Sequence, residues 1–254
     1  MPLPCVIPMP RRPLAINQVQ ERLYDTLCVV RSAFDGYGVR YFVSFGTLLG
    51  TVRHHGFIPW DDDIDIHIHE DDYEMALRSL EASLPNHLRL QLSAADISWD
   101  IDFRVVDGDT LVEREGLTEQ PDVSDHLCID FFIAERCSPK LASLHAIYKK
   151  VKHDYQRRLR PNDAMKYFFV KNAYRLAKKI FTSKTHWFVN DKVQNVSFAS
   201  DDIWPVTYAR FVQGEFPVPA HPDHLLTAWY GDYHTLPKSG DRKSHFTACY
   251  LIYK

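Results

Sequence analysis

Only five cysteines occur in the 254 residues (Cys5, Cys28, Cys128, Cys137 and Cys249). Their number is odd and no pair stands at a C-x-x-C spacing. Neither a disulfide framework nor a Cys-based zinc site therefore organises the chain. Glycine is also scarce, at ten residues, which excludes collagen-like and Gly-rich disordered classes. No run approaches the ~18 apolar residues that cross a bilayer. The Pro-rich stretch 1–13 places Arg11 and Arg12 after its apolar residues, the reverse of a secretory signal. A net charge of −3 lacks the excess of one sign that marks a polyanion binder. A cytoplasmic protein with reduced thiols and no nucleic-acid partner is the expectation from these absences.

What is present is a pattern of mixed helices and strands. After an irregular lead-in over 1–16, Val19, Leu23, Leu27, Val30 and Phe34 recur at steps of three and four, an amphipathic helix closed by Gly36 and Gly38. Residues 41–45 form an aromatic and β-branched run that predicts a strand ending at Gly46-Thr47. A short helix is expected over 48–53. Residues 63–69 alternate polar and apolar, as a half-buried strand does. Asp71 with Glu74 predicts a capping box for a helix burying Ala76, Leu77 and Leu80. Strands follow over 88–92 and 97–105, with Asp107-Gly108-Asp109 as a hairpin signal, and again over 127–133. The fold class expected is α+β, a mixed sheet with flanking helices over 17–137 and a helical, basic region over 138–254.

The densest chemical signal is Trp60-Asp61-Asp62-Asp63-Ile64-Asp65-Ile66. Asp61, Asp63 and Asp65 stand at i, i+2 and i+4, so a strand would point them to one face. Carboxylates this close repel, and a hard divalent cation such as Mg²⁺ or Mn²⁺ would relieve them. A solvated acidic turn is the bland alternative. An EF-hand loop fails, because Ile66 stands where Gly is needed and Asp72 where Glu is needed. A haloacid-dehalogenase-like start fails at His67. A glycosyltransferase D-x-D would follow a longer nucleotide-binding half than these sixty residues.

The order strand, Gly46-Thr47, short helix, then a strand carrying Asp63-x-Asp65 fits a nucleotidyltransferase fold better. Gly46 would let the backbone approach a phosphate, and the amides of the following helix would receive it. Asp130, alone between Cys128-Ile129 and Phe131-Phe132, is costly to bury without a partner. A cation shared with Asp63 and Asp65 would be one partner, an ordinary buried ion pair another.

The run Phe45-Gly46-Thr47-Leu48-Leu49-Gly50-Thr51-Val52-Arg53-His54-His55-Gly56-Phe57-Ile58-Pro59-Trp60-Asp61-Asp62-Asp63-Ile64-Asp65-Ile66 closely resembles the signature of the LicD family, which includes fukutin-type relatives. Weaker resemblance continues at Ile129-Asp130-Phe131-Phe132, at Gly214-Glu215-Phe216-Pro217-Val218-Pro219, at Tyr230-Gly231-Asp232-Tyr233 and at Pro237. The resemblance implies metal-dependent transfer of a phospho-substituent, such as phosphocholine or ribitol phosphate, from a CDP-linked donor to a sugar hydroxyl. The acceptor would be a glycan or lipid-linked glycan.

On this pattern Asp63, Asp65 and Asp130 would hold Mg²⁺ or Mn²⁺. Asp61 would be a further ligand or, like Asp130, the base. Gly46, Thr47, Arg53 and His55 would face the donor diphosphate. His55 departs from the family's usual Lys and would carry charge only when protonated. Asp62 is expected to face away. Trp60, Trp229 and Tyr230 are candidates for stacking, or else core. Arg242, Lys243 and His245 resemble the family's C-terminal end, with a solvated tail as the alternative.

Charge is not spread evenly. Residues 149–184 hold twelve Lys or Arg against Asp154 and Asp163, an excess of ten. Within the block Phe168, Phe169, Ala173, Leu176, Ala177, Ile180 and Phe181 fit a helical apolar stripe. It reads as a solvated basic face over a helical core, or as an amphipathic helix in peripheral contact with an anionic (inner) membrane surface. The second reading makes the chain a non-catalytic docking module, or an enzyme that also docks.

Overall fold

The computed structural model of the protein describes residues 11–92, 101–113, 126–136, 138–158, 161–181, 185–189 and 196–252. The expectations for Cys5 and Cys137, and for the first residues of the 97–105 strand, lie outside them. In chain order the elements begin with β1 (Arg11–Pro13), α1 (Ile16–Tyr37), β2 (Tyr41–Val43), α2 (Phe45–His54), β3 (Ile64–His69) and α3 (Tyr73–Ser83). Strands β4 (Leu88–Leu92), β5 (Phe103–Asp107), β6 (Thr110–Glu113) and β7 (Leu127–Arg136) follow. Then come α4 (Ala142–Arg158), α5 (Pro161–Ile180), β8 (His186–Phe188), β9 (Ser197–Ala199) and α6 (Ser200–Ile203). The chain closes with β10 (Thr207–Phe211), β11 (Gly214–Val218), α7 (Pro222–Tyr230) and β12 (Ala248–Ile252). This is an α+β fold. No helix among the described residues is long and apolar enough to cross a membrane.

The central sheet runs β2-β3-β7-β5-β4, with β8 and β9 continuing from the end of β7. Only β3 and β7 pair in parallel in that path; their neighbours are antiparallel. Ile64, Ile66 and Ile68 on β3, and Ile129 and Phe131 on β7, are wholly buried. The stripe Val19, Leu23, Leu27, Val30 and Phe34 of α1 joins the same core. Each such side chain taken fully out of water contributes about 1.5–3 kcal/mol. Gly38, in the left-handed region at φ 70°, ends α1 by donating to the carbonyls of Asp35 and Phe34.

Several local expectations change. The lead-in is not wholly irregular, because β1 pairs with β12. The turn at Asp107-Gly108-Asp109 forms, with the Asp109 N–H on Asp107 Oδ1 (3.1 Å). It is not a hairpin, because β6 leaves the central sheet to pair with β12. No capping box holds Asp71, since residues 70–72 form a 3₁₀ turn. Asp71 pairs with Arg136 (2.5 Å) and Asp72 with Arg40 (2.7 Å) instead. Beyond residue 138 the helices are accompanied by strands β8 to β12.

Candidate active site

The site starts at the break between β2 and α2. Ser44 keeps an extended backbone at the N-cap, and Phe45 then turns to φ 44°, uncommon for a residue with a side chain. Strand β3 holds this turn: the Asp65 N–H donates to Thr47 Oγ1 (2.9 Å), and the Ser44 N–H to the Asp65 carbonyl (2.9 Å). Below it, Ser44 Oγ lies 2.7 Å from Nδ1 of His67. Burial, then the charge of Lys149, drives the His67 pKa well down, so the ring is neutral among Phe42, Phe45 and Phe132.

A cavity of about 360 Å³ opens beside the turn. Four carboxylates reach its wall: Asp61, Asp63, Asp65 and Asp130. Two of them are set by sheet register, with Asp65 of β3 opposite Asp130 of β7. On the next strand Arg104 stands opposite Asp130 and donates to it from Nε at 2.5 Å and from Nη2 at 3.2 Å. Asp65, Asp130 and Arg104 thus form one row across three strands. Gly46 lines the same cavity, and a Cβ built there would come within 2.9 Å of Asp61 Oδ2. Its lack of a side chain is what lets the Asp61 carboxylate rest against the start of α2.

The charges around the cavity are unequal. Burial, then the neighbouring Asp63 carboxylate, pushes Asp61 up to about 8. Asp62 turns away from the cavity. It accepts the backbone N–H groups of His245 (2.8 Å) and Phe246 (3.2 Å), and His245 Nδ1 lies 2.7 Å from its other oxygen. Burial opposes its ionisation, but the bonds from His245 and Ser244 outweigh that and hold its pKa below the usual range. The bond to Asp62 raises His245 to about 9, despite burial and with help from Asp63. An imidazolium therefore stands 3.4 Å from Asp63 Oδ2.

Carboxylate oxygens of Asp61, Asp62 and Asp63 lie within 4.8 Å of one another, with the His245 ring beside them. Oxygen-rich carboxylates in this number suit a hard divalent ion. The buried Asp61 carboxyl, which holds its proton unusually tightly, is the group such an ion would neutralise. The residues fit Mg²⁺ or Mn²⁺.

Two residues expected at the donor are not at the cavity. Arg53 donates to the Tyr233 carbonyl (2.6 Å) and lies 3.1 Å from His54 Nε2, so it fastens the segment after α7. His55 is the left-handed C-cap of α2 at φ 56°. Nine residue steps along the helix take it about 14 Å from Gly46, at about 1.5 Å per residue. Thr47 is buried and acts on the site through its bond to Asp65. Trp60, Trp229 and Tyr230 all line the cavity, as do Lys243 and His245 of the late polar group. Arg242 stacks over Trp60, its guanidinium 5.1 Å from the ring centre. Arg104 had not been expected. Its signal was available, because a lone cation in Phe103-Arg104-Val105-Val106 mirrors the lone Asp130 of β7.

Residues 38–132 match the family profile described as LicD/FKTN/FKRP, nucleotidyltransferase domain. These residues, from β2 to β7, carry a domain of the LicD type. The chain is similar to the lipopolysaccharide cholinephosphotransferase LicD of Haemophilus influenzae, 24% identical over 91% of this chain and 96% of that protein. It is also similar to the human ribitol 5-phosphate transferase FKRP, 31% identical over 43% of this chain. That match spans 20% of the human protein. An uncharacterized Rickettsia prowazekii protein is 55% identical over 21% of the chain and 20% of its own length. Asp61, Asp63, Asp65 and Asp130 all fall within the matched domain.

Proposed function

We propose that the chain transfers a phospho-substituent from a CDP-linked donor to a sugar hydroxyl of a glycan or lipid-linked glycan, with Mg²⁺ or Mn²⁺ as cofactor. The observation that carries this is the convergence of Asp61, Asp63, Asp65 and Asp130 on one cavity whose remaining wall includes five aromatic residues, Lys243 and His245. The substrates of the Haemophilus and human relatives, as their names state them, support the class of group transferred.

Phosphoryl-type transfer needs positioning and charge neutralisation more than covalent chemistry. A bound divalent cation would supply neutralisation of the donor phosphates and polarise the transferred phosphorus. In this reading Asp63, just before β3, and Asp65, within it, would hold the cation. Asp130, oriented by Arg104, completes the acidic wall. Lys243 and His245 bring positive charge to the diphosphate, and Trp60, Trp229 and Tyr230 offer flat faces to a base or headgroup. Of the two candidate bases, Asp130 is committed to Arg104. We assign Asp61 the acceptor hydroxyl proton.

The test is incubation of the protein with Mg²⁺ and a panel of CDP-linked donors, with CMP measured in the presence and absence of candidate glycans. CMP release from one donor, stimulated by one glycan, is expected. Asp63→Asn and Asp65→Asn should fold as the parent does and release no CMP. Retained release in both variants overturns the reading.

A further inference from the structure

Helices α4 and α5 are fastened to the sheet by charge. Lys149 Nζ lies 3.3 Å from Asp102, and Lys178 Nζ bridges Glu70 (2.8 Å) and Glu135 (3.0 Å). Tyr174, 4% exposed, donates to Glu135 at 3.0 Å. The inward face of the pair mixes these charges with Val151, Ala177 and Tyr174, and a second, larger apolar face of α5 is left outside. Met165 is 59% exposed, Phe168 62%, Phe169 64%, Leu176 61% and Ile180 65%. Spacings of three, four and seven put these five on one side of the helix, opposite Tyr174. Exposed Lys166, Arg175 and Lys179 lie among and beside them. Asp163 is the sole acid against five Lys or Arg on α5.

A soluble surface rarely leaves so large an aromatic patch uncovered. We propose that this face of α5 docks on an anionic lipid surface. Aromatic and aliphatic side chains would enter the headgroup boundary, and the cationic rim would meet lipid phosphates, as interfacial helices do. The rim decides between occupants. A second copy presenting the same face would set Lys and Arg against Lys and Arg, whereas anionic headgroups complement them. Lipid binding needs neither cation nor donor, so this inference stands apart from the transferase reading.

The test is co-sedimentation of the full chain with vesicles of phosphatidylcholine alone or mixed with phosphatidylglycerol, at low and high salt. The mixed vesicles are expected to retain the protein at low salt at least about tenfold better than neutral ones, with the difference falling as salt screens it. The triple variant Phe168→Ser, Phe169→Ser, Leu176→Ser should lose that retention. So should the separate pair Arg175→Glu, Lys179→Glu, with an unchanged circular dichroism spectrum. No retention of the parent by anionic vesicles overturns the proposal, as does unaltered retention of both variants. A parent that is dimeric and unbound to vesicles, with a monomeric serine variant, would assign the face to a second copy and overturn it too.

Discussion

Arg104 grips Asp130 through two hydrogen bonds from neighbouring strands, and both side chains are nearly buried. The pair anchors one end of the acidic row that begins at Asp65. Removing one partner leaves an uncompensated charge, which costs about 3–5 kcal/mol. Arg104→Met should lower the free energy of unfolding by about that much, measured with urea. The double variant Arg104→Met, Asp130→Leu should recover most of the loss, because an apolar pair of similar volume avoids the stranded charge. A single-variant loss below about 1 kcal/mol would mean that the pair is effectively solvated.

Asp61 and Asp63 test the cation separately from turnover. Asp61 is buried and repelled by Asp63, so Asp61→Asn should leave the melting temperature without cation equal to the parent's or higher. Saturation by Mg²⁺ at about a hundred times its dissociation constant adds about 2.7 kcal/mol to a protein that binds it. The parent is expected to gain that stabilisation. Asp63→Asn should gain little of it. An equal melting shift in Asp63→Asn and parent would remove Asp63 from the ligand set.

The sequence showed the core in outline because the buried stripe of α1 and the alternation of β3 are periodic, and periodicity is local. The acidic run was legible for the same reason. Arg104 and His245 were harder, since each acquires meaning only through a distant partner, Asp130 in one case and Asp62 in the other. The destination of β6 was hidden as well. Its turn chemistry is that of a hairpin, and only pairing with β12 near the far end of the chain takes it elsewhere. Arg53 and His55 stand off the cavity wall, because residues adjacent in a motif can be separated by the length of a helix.

Acid should weaken the fold in two stages. Burial, then the charge of Arg40, lowers the His69 pKa from 6.5 to about 4. The unfolded chain therefore takes up a proton at His69 that the folded chain refuses. Stability is full above about 6.5 and declines as pH falls toward 4. Glu135 acts below that. Burial opposes its ionisation, but His145, Lys178 and Lys149 outweigh burial and hold it well below 4.5. Its contribution is present above 4.5 and is lost as pH falls further. Melting temperature against pH should show both limbs, and His69→Phe should make the upper one shallower, leaving the share of His67 and His54, without changing the lower. An upper limb of unchanged slope in that variant would assign it to another group.

Two glycines of α2 should respond oppositely to the same methyl group. At Gly50 a Cβ would stand 2.4 Å from the backbone carbonyl of Gly56. That carbonyl belongs to a loop whose return is fixed by the Gly56 N–H bonding to Gly50 O at 3.3 Å. Gly50→Ala must push backbone apart, and overpacking of this kind costs about 1–3 kcal/mol. At Gly46 the methyl meets the end of a side chain, Asp61 Oδ2, at 2.9 Å. That carboxylate can swing, so Gly46→Ala should keep most of the stability and lose the site instead. The expected pattern is a lowered melting temperature with Mg²⁺ stabilisation retained in Gly50→Ala, and the reverse in Gly46→Ala. If Gly46→Ala kept the parent's Mg²⁺ response, Asp61 would not need its place against α2, and its assignment as the base would lose its structural support.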